Sequence, residues 1–408
     1  MNCRHCDSDL ELQFVDLGAA PPSNAYLSRE ALLAPERHFP LVIMTCENCW
    51  LVQTLDFARA DELFSSDYAY FSAMSEGWLA HARRYVSEMI ERFELTSESQ
   101  VVEIASNDGY LLQYVREAGI PCLGVEPTAS TARASRDKGI ETMEAFFGAN
   151  VGKQLIERGS AADLMAANNV LAHVPDINDF VQGFAAALKP NGAATFEFPH
   201  LLKLIEQDQF DTIYHEHFSY LSLTALSQIF PANGLAIFDV QELPTHGGSL
   251  RVFAQRTDTG ERPISNAVSR ILDAERRAGL DNKDVYSSFQ RRAEAVKDGF
   301  VRFLLDAKRE GKSVAAYGAA AKGNTLINFA GCRPDLIRYV VDRSPGKVGK
   351  FLPGSRIPIV EEAVLREDRP DYIAILPWNL TEEVMDQLAY AREWGARFVT
   401  AVPFIEVR

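Results

Sequence analysis

The chain has 408 residues, which at about 150 residues per domain suggests two or three domains. It is 47% hydrophobic and 24% charged, the balance of an ordinary globular protein. With 41 basic against 56 acidic residues the formal net charge is −15. That argues against a nucleic-acid partner, which needs a basic footprint, but leaves room for an anionic small molecule held by a few local cations. No stretch approaches the roughly 20 apolar residues of a membrane span, and the N-terminus MNCRHCDSDLELQF has no apolar signal-peptide core. A cytoplasmic protein without a membrane partner is expected.

In chain order, residues 1–60 form a small module opened by Cys3 and Cys6 and closed by Cys46 and Cys49. Gly18, Pro21, Pro22, Pro35 and Pro40 keep any helix there short, and a metal would supply stability that so small a core lacks. From Glu76 to Phe93, Trp78, Ala82, Tyr85, Val86, Met89, Ile90 and Phe93 recur at helical spacing. A strand at 101–105, a turn at 106–109 and a helix at 110–118 follow, then a short strand, Cys122 to Glu126, ending in an acid. A helix at 128–138, a strand at 163–167, a helix at 180–188 and a strand at 193–198 continue the alternation, which predicts a parallel α/β sheet. Segments 235–240 and 249–255 read as an antiparallel pair at its edge. Residues 262–310 are charged and helical in pattern, and read as a long connector. A second α/β unit begins at 313–317, turns through Gly318 to Gly323 into a helix, and continues with strands at 337–342, 372–376 and 397–402.

Four motifs carry chemistry. Two spaced CxxC pairs suit one tetrahedral zinc, because each turn aims two sulfurs at a point; four cysteines leave no open position, so the metal is structural. Cys122 and Cys332 stand alone and receive no role. The turn Ser106-Asn-Asp-Gly109 joins a strand to a helix, and Glu126 lies 23 residues beyond Glu103, near the separation at which an acid reaches a cofactor ribose. One glycine instead of three disfavours a dinucleotide and suits a methyl donor, which brings no pyrophosphate close to the backbone. Five of eight histidines, His173, His200, His215, His217 and His246, fall within one stretch of the chain. With Tyr214 and Glu216 they offer a base, a carboxylate to orient it or a neighbour, and a phenol donor. A metal at His215 and His217 is the competing reading, although no second ligand pair lies nearby. Finally, Tyr317 to Thr325 is a small-residue loop entering a helix, a shape suited to phosphate, with Lys322 and Lys347 available to neutralise it; it is not a Walker loop.

Taken together the motifs resemble the sugar C-methyltransferases that act on nucleotide-linked ketosugars. The resemblance spans nearly the whole chain: both CxxC pairs, Ser65 to Ser72, Glu103 to Gly109, Gly124 to Pro127, Asn169 to Pro175, Tyr214 to Tyr220, Thr245 to Ser249, Tyr317 to Asn324 and Pro377 to Asn379. It implies an α/β protein of three parts: a zinc-binding module (1–60), a Rossmann-like class I methyltransferase domain (61–257) and a C-terminal Rossmann-like α/β domain (258–408). S-adenosylmethionine would be held by Glu103, Ala105, Ser106, Asn107, Gly109, Glu126, Asn168 and Asn169, and covered by Tyr68 and Tyr70. A nucleotide-linked 4-ketosugar, by family a dTDP-sugar methylated at C-3, would meet His173, Tyr214, Lys322, Asn324, Asp342, Lys347 and Trp378. His217 would be the base, Glu216 would orient it or a neighbour, and Tyr214, His173 and His246 would place the sugar or stabilise the enolate. A monomer in deoxysugar biosynthesis is the expectation. Two alternatives remain open from the residues: a nicotinamide-dependent dehydrogenase, disfavoured by the single glycine, and a zinc-bearing scaffold without activity, disfavoured by the intact Tyr-His-Glu-His run.

Overall fold

The computed structural model describes residues 1–55, 57, 72–74 and 76–408. Tyr68 and Tyr70, and with them most of the segment Ser65 to Ser72, lie outside the described residues.

Three sheets organise the chain. The N-terminal one is antiparallel and runs Leu12–Ala20, Phe39–Thr45, Val52–Thr54 and Ser219–Tyr220. Its fourth strand comes from the histidine-rich segment, with Val52 opposite Tyr220 and Gln53 opposite Ser219. The cysteine module and the candidate catalytic residues therefore share one sheet. Within residues 1–55 a single 3-10 turn, Ala31–Leu33, stands between strands, as the proline spacing requires.

The central sheet has seven strands in the order Leu235–Leu243, Ser249–Arg256, Leu188–Pro199, Ala162–Asn168, Val101–Ile104, Cys122–Val125 and Glu141–Met143. The last five are parallel, and Ser249–Arg256 runs antiparallel to both neighbours. Winding reverses between Val101–Ile104 and Ala162–Asn168, so the loops after those two strands open a crevice at the carboxyl edge. Covered on both faces, the inner strands are apolar almost without alternation: Leu164 to Asn168 are all buried.

The C-terminal sheet has six strands in the order Ile359–Val360, Val340–Val341, Val314–Tyr317, Tyr372–Ile375, Arg397–Thr400 and Glu406–Val407, parallel except for the last. The strand expected over 337–342 is only two residues long.

The stretch expected to be a connector is instead part of the core. Its helix Phe289–Arg309 buries Phe289, Ala293, Val296, Phe300, Leu304 and Ala307 along one face, and its abundant charges occupy the other. Phe14 of the N-terminal sheet stacks on Phe289 at 4.4 Å and meets Tyr286 edge-on at 6.1 Å. One apolar cluster thus joins the N-terminal sheet, the segment Leu201 to Tyr220, these helices and the C-terminal sheet. It fixes where the three sheets stand relative to the crevice. Among the described residues no helix is long and apolar enough to cross a membrane.

Candidate active site

The metal site is the most compact feature. Cys3 Sγ lies 3.6 Å from Cys49 Sγ, Cys6 Sγ lies 3.5 Å from Cys46 Sγ, and all four sulfurs fall within 4.8 Å of one another. A tetrahedral zinc at about 2.3 Å from each sulfur sets them about 3.8 Å apart, so the group fits. Gln53 Nε2 donates to Cys3 Sγ at 3.2 Å, a neighbouring hydrogen bond of the kind that fixes a ligand's direction.

The crevice at the carboxyl edge of the central sheet holds a second constellation. Ala105, Asn107 and Asn169 have positive φ of 52°, 50° and 56°, and Gly109 has 75°. Left-handed backbone is costly for a residue with a Cβ, and three such positions beside Gly109 around one crevice mark a shaped binding surface. Glu103 Oε2, Ser106 Oγ, Asp108 Oδ1, Asn168 Oδ1 and both side-chain polar atoms of Asn169 are buried without a hydrogen-bond partner among the described residues. Buried polar atoms are ordinarily satisfied, so this set fits a polar ligand such as S-adenosylmethionine, with its amino group and ribose hydroxyls. Burial holds the Glu103 carboxyl well above its usual range, against a hydrogen bond from Tyr110. Glu126 is mostly committed inside the chain: Oε2 accepts from Asn107 N at 2.9 Å, and Oε1 from Thr128 N at 2.9 Å and Thr131 Oγ1 at 3.0 Å. That leaves about one of its four acceptor positions for a ribose hydroxyl.

The histidine cluster divides. His173, His217 and His246 converge, whereas His200 and His215 lie elsewhere. His200 pairs with the buried Glu275 at 2.6 Å, and His215 bonds Phe39 O at 3.1 Å, so both are structural and the His215–His217 metal reading fails. His173 and His217 sit edge to face with centroids 4.6 Å apart. His217 Nδ1 lies 3.0 Å from Thr212 O, which only accepts, so the proton is on Nδ1 and Nε2 is the basic nitrogen. The Tyr214 hydroxyl donates to Nε2 at 2.7 Å. The backbone of Thr212, not the Glu216 side chain, thus orients His217. Glu216 orients the neighbour through its main chain, where its carbonyl accepts from His173 Nδ1 at 2.8 Å. Burial, with the charges of His173, His246 and Lys322, holds His217 well below the usual imidazole value, so it is neutral near pH 7.

His246 sits at the rim, in a turn with φ of 55°, its ring 5.5 Å from that of Trp78. Burial and Lys322 lower it to about 4. Its loop is tied down by the buried Glu197, which accepts from Thr245 Oγ1 at 3.2 Å, His81 Nε2 at 3.0 Å and Arg251 Nη2 at 3.1 Å. Trp78 also stacks on His81 at 4.8 Å.

The C-terminal residues separate into two groups. Lys322 Nζ reaches Asn379 Oδ1 at 2.6 Å and lies 4.6 Å over the Trp378 ring. Trp378 Nε1 donates to Asp211 Oδ2 at 2.8 Å, and burial pushes that carboxyl up to about 6. This group faces the histidines. Lys347 instead donates to Ala319 O at 2.9 Å and lies 3.6 Å from Asp342. Asp342 accepts from Ala319 N and Ser344 N, both at 2.8 Å, so it fastens its own loop as Glu126 does in the central sheet. Asn324 is buried, with its amide donating to Ser23 O at 2.7 Å and its oxygen accepting from Asn328 at 3.3 Å. It braces the loop internally and is not available as the substrate contact expected for it.

Several residues of the site carried no assignment from sequence. Asp211 and Thr212 lie just before the Tyr-His-Glu-His run, but an acid that bonds an indole and a carbonyl that fixes a tautomer leave no pattern. Trp78 was legible only as one residue of a helical stripe.

Over 401 residues, 98% of this chain and 95% of the relative, the sequence is 36% identical to C-methyltransferase NovU of Streptomyces niveus. The chain belongs to the C-methyltransferase family. Three family models tile this C-methyltransferase: a zinc binding domain over residues 3–64, a methyltransferase domain over 78–240, and a C-methyltransferase C-terminal domain over 244–403. Its methyl donor is S-adenosylmethionine and its cysteine module binds zinc. Among solved structures it is similar to magnesium protoporphyrin IX methyltransferase from Synechocystis with bound SAH, at 15% identity over 44% of this chain and 84% of that one, TM-score 0.36. A methyltransferase from Clostridium acetobutylicum matches at 11% identity over 45% of this chain and 92% of that one, TM-score 0.37.

Proposed function

We propose that this C-methyltransferase adds a methyl group to the carbon beside the ketone of a nucleotide-linked 4-ketosugar, at C-3 of a dTDP-sugar, in deoxysugar formation. The observation that carries the reading is the neutral His217, its Nδ1 fixed on Thr212 O and its Nε2 beside the Tyr214 hydroxyl, within reach of the charge on Lys322.

A carbon must lose a proton before it can accept a methyl group, and a ring ketone acidifies its neighbour by moving charge onto oxygen. His217 Nε2 takes that proton; its depressed basicity keeps it unprotonated and ready at neutral pH. The Tyr214 hydroxyl turns from Nε2 to the sugar as the imidazole gains its proton. The developing oxyanion needs donors and positive charge in a dry site, which Tyr214, His246 and Lys322 supply. His173, fixed by the Glu216 carbonyl, packs against His217 and holds its ring in plane. S-adenosylmethionine, held along Glu103, Ala105 to Gly109, Glu126, Asn168 and Asn169, supplies an electrophilic methyl on a positively charged sulfur. Lys347, beside the Gly318 to Ala320 loop, contributes charge for the nucleotide diphosphate.

The test is product analysis. The enzyme, given labelled S-adenosylmethionine and a panel of nucleotide-linked 4-ketosugars, yields a carbon-bound methyl beside the ketone, seen by NMR. Donor binding without methylation of any member overturns the substrate class.

A further inference from the structure

The cysteine-bearing module does more than pack beside the crevice. Its segment Pro21 to Leu27 is fastened to the C-terminal domain at three places. Asn324 holds Ser23 O, the Tyr26 hydroxyl donates to Ala319 O at 2.6 Å, and Leu27 and Phe351 exchange backbone hydrogen bonds of 2.9 Å. From that strap Asn24 reaches back to the histidine segment, where its Nδ2 donates to Glu216 Oε1 at 3.2 Å. A carboxylate only accepts, so the amide stands with its nitrogen toward Glu216, and its Oδ1 lies 3.4 Å from the Tyr26 hydroxyl oxygen. The Asn24 backbone N–H also serves Glu216.

Glu216 is 1% exposed, no ion pair reaches it among the described residues, and its Oε2 has no hydrogen-bond partner there. A buried carboxylate with one oxygen held and one unsatisfied is prepared for a donor that arrives with the ligand, such as a sugar hydroxyl. We propose that Asn24 is a positioning residue, which aims the Glu216 carboxylate into the sugar site and couples it to the C-terminal domain through the Pro21 to Leu27 strap. The inference rests on the placement of Glu216 in the active site argued above. Thr54, another residue of the module, donates to His217 O at 2.5 Å, so the module grips the catalytic segment at two successive residues.

Displacing a reacting or binding group by about 1 Å costs on the order of 100-fold in rate. Steady-state kinetics of the full, zinc-loaded chain separate the outcomes. Asn24→Ala should lower kcat by about 10- to 100-fold, with the affinity for S-adenosylhomocysteine within about twofold of wild type and the melting temperature nearly unchanged. Asn24→Asp, which sets a second carboxylate against the first, should be at least as impaired, although it preserves shape. Wild-type kcat in Asn24→Ala while Glu216→Gln is impaired overturns the role of Asn24 alone, as does full activity in Asn24→Asp. Wild-type kcat in Glu216→Gln instead overturns the placement of Glu216 on which the inference depends.

Discussion

Glu197 links the stability of the central sheet to the placement of His246, and the consequence of removing its charge can be worked out. The carboxylate is fully buried and accepts from His81, Arg251 and Thr245. Arg251, its permanently charged partner, has a side chain only 3% exposed, and bonds on its other side to Glu88, whose side chain is 40% exposed. Glu197→Gln keeps shape but leaves the buried guanidinium without its buried counter-charge. Breaking a buried pair in this way costs about 3–5 kcal/mol. For a domain of this size that corresponds to roughly 6–20 °C in melting temperature. Glu88→Gln removes the other carboxylate of the same arginine, but in water, and should cost under about 1 kcal/mol. Thermal unfolding of both variants, followed by circular dichroism, makes the comparison. Equal shifts in the two would refute the argument that burial decides the worth of the pair. The Glu197 variant should also lose activity at temperatures where it is still folded, since the Thr245 anchor of the His246 loop is weakened.

Two further predictions concern charge and metal. The rate should climb with pH as His217 gives up its proton, and that climb should lie below pH 6.5, because burial and nearby cations favour the neutral ring. Lys322→Met removes one of those cations, so the acid limb of kcat/KM should move to higher pH; Asp211, at about 6, loses the same cation and moves in the same direction. A downward shift would contradict the electrostatic account. Cys49→Ser should lose bound zinc, measured by elemental analysis, and lower both melting temperature and activity together, because the strand Ser219–Tyr220 pairs with the module. Undiminished zinc in that variant would reject the four-sulfur site.

What could be read from the sequence was what is local. The strands of the central sheet announce themselves as short apolar runs, and the acids at 126 and 342 stand where strands end. The CxxC pairs specify a metal site because each pair is a turn. What could not be read depends on contacts between distant residues. Five clustered histidines suggested one site, yet His200 and His215 serve packing, and only the folded chain separates them from His173, His217 and His246. The charges of 262–310 obscured an apolar face that becomes core only when Phe14 and Trp50 cover it. Asn324 looked like a phosphate-loop residue and proves to brace Ser23, more than 300 positions away. Asn24 meets Glu216 across a gap of 192 residues, which no spacing rule reaches.

The central claim is that His217 removes a proton from the carbon beside a ketone. Proton exchange tests it without methyl transfer. A nucleotide-linked 4-ketosugar accepted by the enzyme is incubated in D2O with S-adenosylhomocysteine in place of the donor, and deuterium at C-3 is followed by NMR. Wild-type enzyme should incorporate deuterium there. His217→Asn should slow that exchange by roughly 10²- to 10⁴-fold while still binding S-adenosylhomocysteine. Exchange by His217→Asn at the wild-type rate would contradict the assignment of the base.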